Sequence, residues 1–159
     1  MPIIKDGALI LDDWQFVEED SEIPKNGNFI LPLARALLMH GELSNYEGRI
    51  GISIPNDEDV EEHGDIFKKV QLVLLHLPSF TDGRAYSQAR LLREEMFYKK
   101  ELRLKGDVLV DQAAYLLRCG FDSFDPDTEP DIDVWNNTVQ LMSTSYQTGY
   151  RDRLQNRAE

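Results

Sequence analysis

The chain has 159 residues, of which 42% are hydrophobic and 29% charged, and it carries a net charge of −12. This length and composition fit a single domain with an ordinary core and exclude a bulk-disordered chain. The negative charge excludes a general binder of nucleic acid or of anionic membranes, because phosphate surfaces require basic residues. Cys119 is the only cysteine, and the first residues contain no signal-peptide core, so we expect a cytoplasmic protein. The longest apolar run, residues 70–77, is far shorter than a membrane span, so no membrane partner is expected.

The first 30 residues are expected to form an extension ahead of an α/β core over 31–147, with a flexible tail over 148–159, all within one domain. Apolar residues on both sides of Lys5-Asp6-Gly7 predict a small hairpin. Residues 18–28 are polar and predict a loop. Residues 29–39 predict a short helix with Pro32 in its first turn.

From residue 49 onward, strand and helix patterns alternate. Apolar runs and alternation predict strands at 49–54, 71–77, 101–105 and 121–124. Helices are predicted to start at Asn56, with the acids at 57–59 in the first turn, and then along the apolar face from Ala85 to Met96, after Gly106-Asp107, and from Trp135 to Tyr146. Gly120 is expected to end the third helix.

Four strand–helix units in succession favour a parallel sheet with right-handed crossovers. We therefore expect a three-layer α/β sandwich with about four strands, mostly parallel, plus the N-terminal hairpin. A half-barrel of the (β/α)4 type, completed by dimerisation, is the alternative. In either fold, ligand sites belong at the carboxyl ends of the strands.

Charge is unevenly distributed along the chain. Residues 1–80 hold 6 basic and 15 acidic side chains, residues 81–120 hold 8 and 6, and residues 121–159 hold 3 and 8. A segment of net +2 therefore lies between acidic segments of −9 and −5. This basic segment contains most of the polar residues that follow the predicted strands.

Several ordered motifs in this segment carry a family resemblance. They are Phe80-x-Asp82-Gly83-Arg84-x-Tyr86-Ser87-x-Ala89-Arg90-Leu91-Leu92-Arg93, then Glu101-Leu102-Arg103-x-x-Gly106-Asp107-Val108-Leu109-x-Asp111-Gln112, then Arg118-Cys119-Gly120-Phe121-Asp122. With Asp6-Gly7, Asp12-x-Trp14, the stretch 31–34 and Tyr146-Gln147, they resemble the bacterial "domain of unknown function 934" family over nearly the whole chain. Ala85 and Leu104 depart from the residues expected there. The resemblance implies that the gene for this chain lies beside genes for assimilatory sulfite reductase. Members of the family are labelled as oxidoreductases of sulfite reduction, without an established reaction.

Arg84, between a strand and a helix start, is the first candidate for an oxyanion site, with Ser87 as a helix N-cap and Arg103 as a further cation. The alternative is that Arg84 pairs with Asp82 or Asp107 and only holds its loop in place. Asp82 and Asp107 are the candidates for a catalytic base. With Asp125 they are weak candidates for a Mg²⁺ site, although turn and N-cap roles explain the first two equally well.

No cofactor is expected, because the chain lacks the dinucleotide-binding and phosphate-loop motifs. His76 lies within an apolar strand and is predicted to be a core residue with a hydrogen-bonded partner. An accessory or binding protein of sulfite assimilation, acting with sulfite reductase or another redox protein, is the first functional hypothesis, since an acidic surface suits a basic partner. A small enzyme acting on sulfite, sulfate or phosphate is the second, and a homodimeric scaffold is the third.

Overall fold

A computed structural model of the chain describes residues 2–142. Its strands are β1 (Ile3–Lys5), β2 (Ala8–Ile10), β3 (Gln15–Phe16), β4 (Asn28–Pro32), β5 (Arg49–Ile54), β6 (Leu72–Leu77), β7 (Glu101–Gly106) and β8 (Ser123–Pro126). Its α-helices are α1 (Leu33–Leu38), α2 (Arg84–Arg90), α3 (Ala113–Cys119) and α4 (Ile132–Met142). No helix within these residues combines the length and the apolarity that crossing a bilayer requires.

All eight strands form one sheet in the order β2-β1-β8-β7-β6-β5-β4-β3. The strands from β3 to β8 are parallel and adjacent in chain order, whereas the β1–β2 hairpin adds antiparallel strands beside β8. From β3 to β8, each connection leads to the next strand on the same side. Because crossovers between parallel strands are right-handed, these connections all lie on one face of the sheet. The α/β class and the mostly parallel sheet are confirmed, the expected number of about four strands is too small, and the half-barrel alternative fits in place of the three-layer sandwich.

The distance between the two sheet edges requires strong curvature. β2 and β3 lie at opposite edges, yet only residues 11–14 connect them. Five residue steps span at most ~18 Å, whereas seven interstrand spacings of a flat sheet would cover ~34 Å. The sheet therefore curls until its edges approach, and residues 11–14, called the strap below, cross its concave face.

The two faces of the curled sheet are covered differently. The main core lies on the convex face, where Val73, Leu75 and Leu77 of β6 pack with the helices. On the concave face, Leu72 and Leu74 pack instead against Trp14 of the strap. Both faces of β6 are thus buried, but only one of them by helices.

Several local predictions are confirmed and others are corrected. The hairpin forms, with positive φ angles at Asp6 and Gly7, and Gly120 ends α3 in the left-handed conformation. The predicted extension contributes β1, β2, β3 and the first three residues of β4 to the sheet. In place of one helix at 29–39, residues 28–32 form β4 before α1. The helix expected to start at Asn56 is reduced to two 3₁₀ turns, at Val60–His63 and Ile66–Lys68. The predictions for Tyr146 and for the tail 148–159 lie outside the described residues.

Candidate functional site

The loop after β6 is held together by Asp82 and Arg84. The Asp82 carboxylate accepts hydrogen bonds from the Arg84 backbone N–H, Nε and one terminal nitrogen at 3.1, 3.1 and 2.8 Å. Asn56, after β5, donates to the same carboxylate at 2.9 Å. Hydrogen bonds from Arg84 lower the pKa of Asp82 to about 2. Asp82 is therefore an ionised anchor, and this supports the interpretation of Arg84 as a loop-fixing residue.

Asp107 connects the loops that follow β6 and β7. Its carboxylate accepts the backbone N–H of Phe80 at 2.9 Å. The helix that follows does not begin at Asp107: a 3₁₀ turn intervenes at Val110–Gln112, and α3 starts at Ala113. The expected N-cap role of Asp107 was therefore wrong, because its side chain caps the neighbouring loop instead of its own helix.

Ser87 lies inside α2 and not at its start. The helix begins after Gly83, which supplies no side-chain cap, and the Ser87 backbone N–H donates to the Gly83 carbonyl. Its prediction as an N-cap was wrong by one helical turn. The α2 start therefore presents the Arg84 side chain, 59% exposed, without a neighbouring serine cap.

Asp125 pairs with Lys105 from the adjacent strand. The two residues are direct neighbours in the β7–β8 register, and Lys105 Nζ lies 2.7 Å from Asp125 Oδ2. Asp82, Asp107 and Asp125 thus each engage a different partner. Within residues 2–142, no group of three or more His, Cys, Asp and Glu side chains is placed to hold a metal ion.

Arg103 lies on the concave face and is almost completely buried, with 2% of its side chain exposed. One terminal nitrogen donates to both oxygens of Asp12 at 2.9 Å, and the other donates to Glu101 at 3.0 Å. Ser123 accepts from Nε at 3.1 Å and donates to Glu101 at 2.7 Å. The charge of Arg103 is therefore matched by Asp12 of the strap and by Glu101. Arg103 is not brought together with Arg84.

Burial alone would raise the pKa of Glu101 in this network. Hydrogen bonds from Ser123, Lys5 and Arg103 outweigh that effect and leave the pKa below its ordinary value. The buried network therefore keeps Glu101 ionised. It joins the N-terminal hairpin, the strap and two strands of the parallel sheet.

Arg93, another residue of the resemblance motifs, is a buried structural centre. It follows α2 in a π-helical turn at Leu91–Glu95 and donates to the carbonyls of Gly120, Tyr98 and Lys100. It also pairs with Asp122 at 2.6 Å. The motif arginine thus fixes the end of α3 to the start of β7.

Ser53 and His76 form a pair that the motifs did not single out as a site. Ser53 Oγ lies 2.6 Å from His76 Nε2 on the concave face. The hydrogen-bonded partner expected for His76 is present, but the imidazole is half-buried at the carboxyl end of β6 and does not lie in the helix-packed core. Burial, and after it the Lys105 ammonium, lowers the pKa of His76 from 6.5. The sequence signal for a polar concave face is the alternation along β7, which places Glu101, Arg103 and Lys105 on one face of the strand.

Together these features define an α/β half-barrel protein whose polar residues gather at the carboxyl edge and on the concave face of one sheet. A family model described as a bacterial protein of unknown function (DUF934) matches residues 51–155. Because this match covers more than half of the chain, the chain belongs to that family. No curated protein matches the chain, and no solved structure matches it.

Proposed function

We propose that this protein is an accessory or binding protein of assimilatory sulfite reduction that acts with sulfite reductase or its electron supply. The family resemblance supports the pathway, and the surface charge supports the mode of action. Exposed carboxylates concentrate in three surface segments: Glu18, Glu19, Asp20 and Glu22; Asp57, Asp59, Glu61, Glu62 and Asp65; and Asp127, Glu129, Asp131 and Asp133. Such a surface accelerates encounter with a basic partner.

The strand-end residues support binding by a fixed platform. Asp82 is saturated by Arg84 and Asn56, and Asp107 is engaged by the Phe80 backbone. These contacts hold the loops after β5, β6 and β7 in a single arrangement. A rigid loop cluster suits a docking surface, because little conformational entropy is lost on association.

A salt-dependent pull-down with purified sulfite reductase tests this proposal. We expect capture at about 30 mM salt and its loss at about 300 mM, because screening lengths shorten over that range. A variant with Asp57→Asn, Glu61→Gln and Glu62→Gln is compared with one carrying Glu19→Gln, Asp20→Asn and Glu22→Gln.

At least one of these neutralised variants should bind more weakly at low salt than the unmodified protein does. Circular dichroism establishes that both remain folded. Absence of any capture at low ionic strength would contradict the proposal, and so would capture that is independent of salt.

A small enzyme acting on sulfite, sulfate or phosphate is the second candidate, with Arg84 as anion clamp and Asp82 or Asp107 as base. The exposed Arg84 guanidinium favours it, since Asp82 uses only part of its five N–H donors. Under this hypothesis, Arg84→Ala abolishes oxyanion binding and leaves the fold intact. Unfolding of the variant, or unchanged anion binding, would leave Arg84 as a structural residue alone.

A homodimeric scaffold is the third candidate, and the two sheet edges favour it. Among residues 2–142, β2 and β3 each pair on one side only, and Leu11 after β2 and Phe16 within β3 are 87% and 55% exposed. Unpaired apolar edges promote association between chains. Light scattering after size exclusion should then give twice the monomer mass. The Leu11→Ser variant should give a lower mass than the unmodified protein. A monomer at all concentrations would reject this candidate.

A further inference from the structure

The concave face carries a row of polar side chains at the carboxyl edge of the sheet that the proposed function does not use. His76 on β6, Lys105 on β7 and Asp125 on β8 occupy directly adjacent register positions. Ser53 on β5 reaches His76 from the other side. The row therefore crosses four consecutive parallel strands.

Its position is where curled parallel sheets bind their ligands. In barrels of parallel strands, sites form at the carboxyl ends, on the side facing the interior. The strap fills the concave face one step lower, where Trp14 packs on Leu74 and Asp12 binds Arg103. His76 lies one strand repeat beyond Leu74 and remains half-buried, and the Lys105 side chain is 46% exposed. A small solute can therefore reach the row.

The row has unused hydrogen-bonding groups. Ser53 occupies His76 Nε2, and no further hydrogen bond of His76 is found among residues 2–142, so Nδ1 is unoccupied and is an N–H donor when the ring is protonated. The Lys105 ammonium has three donors and gives one to Asp125. With the imidazole protonated, Nδ1 and the Lys105 ammonium are two neighbouring donors on adjacent strands, and such a pair suits the paired oxygens of an anion.

Charge balance determines how such an anion would bind. With a neutral imidazole, Lys105 and Asp125 cancel each other, so a monoanion would leave the half-buried row with a net negative charge. Protonation of His76 restores neutrality. The groups that face the imidazole are Ser53 from β5 and Lys105 from β7, with Asp125 of β8 behind Lys105.

We propose that His76 and Lys105 form a binding site for a small carboxylate or inorganic oxyanion, and that His76 takes up one proton from solvent when the anion binds. The geometry of the row is the basis of the proposal. The lowered pKa of free His76 agrees with it, because proton uptake needs an imidazole that is neutral beforehand. The site is separate from Arg84, and its formation does not depend on sulfite reductase.

NMR titration of the histidine rings tests the proposal on the full-length protein alone. The chain has three histidines. His76→Gln assigns the resonance, while His40 and His63, which contact Lys69 and Glu58, serve as internal controls. Sodium acetate and sodium sulfate are the probes. We expect at least one of the two probes to raise the pKa of His76 by about one unit or more. The affinity for that probe should rise about tenfold per unit fall in pH within the coupled range.

The Lys105 side chain supplies the matched variants. Lys105→Met should abolish the effect and Lys105→Arg should retain it, whereas Lys68→Met, at an 81% exposed lysine, should leave it unchanged. A response to acetate alone identifies a carboxylate site, and a response to sulfate alone an oxyanion site. A His76 resonance that neither probe shifts, or an equal shift in Lys105→Met, would overturn the proposal. Failure of the reductase pull-down would leave this result unaffected.

Discussion

Asp12→Ala should destabilise the protein far more than the same change at the next residue. Asp12 binds Arg103 through both oxygens, and Arg103 is 2% exposed. With Lys5 and Glu101, the network has two positive and two negative groups. Removing Asp12 leaves an excess buried cation and one unsatisfied guanidinium nitrogen. Breaking a buried pair in this way costs about 3–5 kcal/mol. Because Asp12 itself is partly exposed, we expect a loss near the lower end of that range, about 3 kcal/mol.

Asp13 supplies the matched control. It also pairs with an arginine, Arg49, at 2.8 Å, but both side chains are solvent-exposed. Such pairs contribute about 0–1 kcal/mol, so Asp13→Ala should be nearly neutral. Urea unfolding followed by circular dichroism measures both free energies, with the slope m checked for constancy. Equal losses in the two variants, or a loss below about 1 kcal/mol for Asp12→Ala, would refute the view that the strap is locked to the concave face.

Two further stability predictions follow from the described contacts. Gly120→Ala should cost about 2 kcal/mol or more in urea unfolding, because φ is +105° and the new Cβ would lie 2.7 Å from Arg93 Cγ. Gly41→Ala is the neutral control, since no atom lies within 4 Å of a Cβ at that position. Equal effects of the two substitutions would contradict this account of the α3 end. The lowered pKa of His76 means that the unfolded chain binds this proton more readily, so stability is lost as pH falls below about 6.5. His76→Gln should flatten that loss in unfolding measured between pH 5 and 8, and an unchanged pH profile would show that the imidazole does not cause it.

Local structure was predictable wherever neighbouring residues determine it. The hairpin around Asp6-Gly7 and the end of α3 at Gly120 depend on turn and cap residues that lie within a few positions. The parallel strands depend on apolar runs of sufficient length. The sequential order of the strands, which separates a half-barrel from a three-layer sandwich, depends on contacts across the whole chain, so the local pattern left both folds open.

The apolar run of β6 explains why the sequence pattern favours a three-layer sandwich over the observed half-barrel. An uninterrupted apolar strand indicates burial on both faces, and β6 is buried on both. Helices cover one face, but Trp14 covers the other. Nothing near β6 in the chain reveals that a tryptophan some 60 residues earlier replaces a helix layer.

The candidate site was predictable to a similar extent. Asp82 and Arg84 lie two residues apart, so their pairing is one of the two interpretations that the sequence allows. Asp12 and Arg103 lie 91 residues apart, so their pairing, which leaves Arg103 buried and neutralised, could not be anticipated. The apolar neighbours of His76 predict a core residue, although its side chain shares a face with Lys105.

Growth of a deletion strain tests the central claim, a role in sulfite assimilation, most directly. The strain should grow normally on cysteine and poorly on sulfate or sulfite, and expression of the intact chain should restore growth. Supply of sulfide, the product of sulfite reduction, should also restore it. Equal growth of the deletion and parent strains on sulfate would contradict the account.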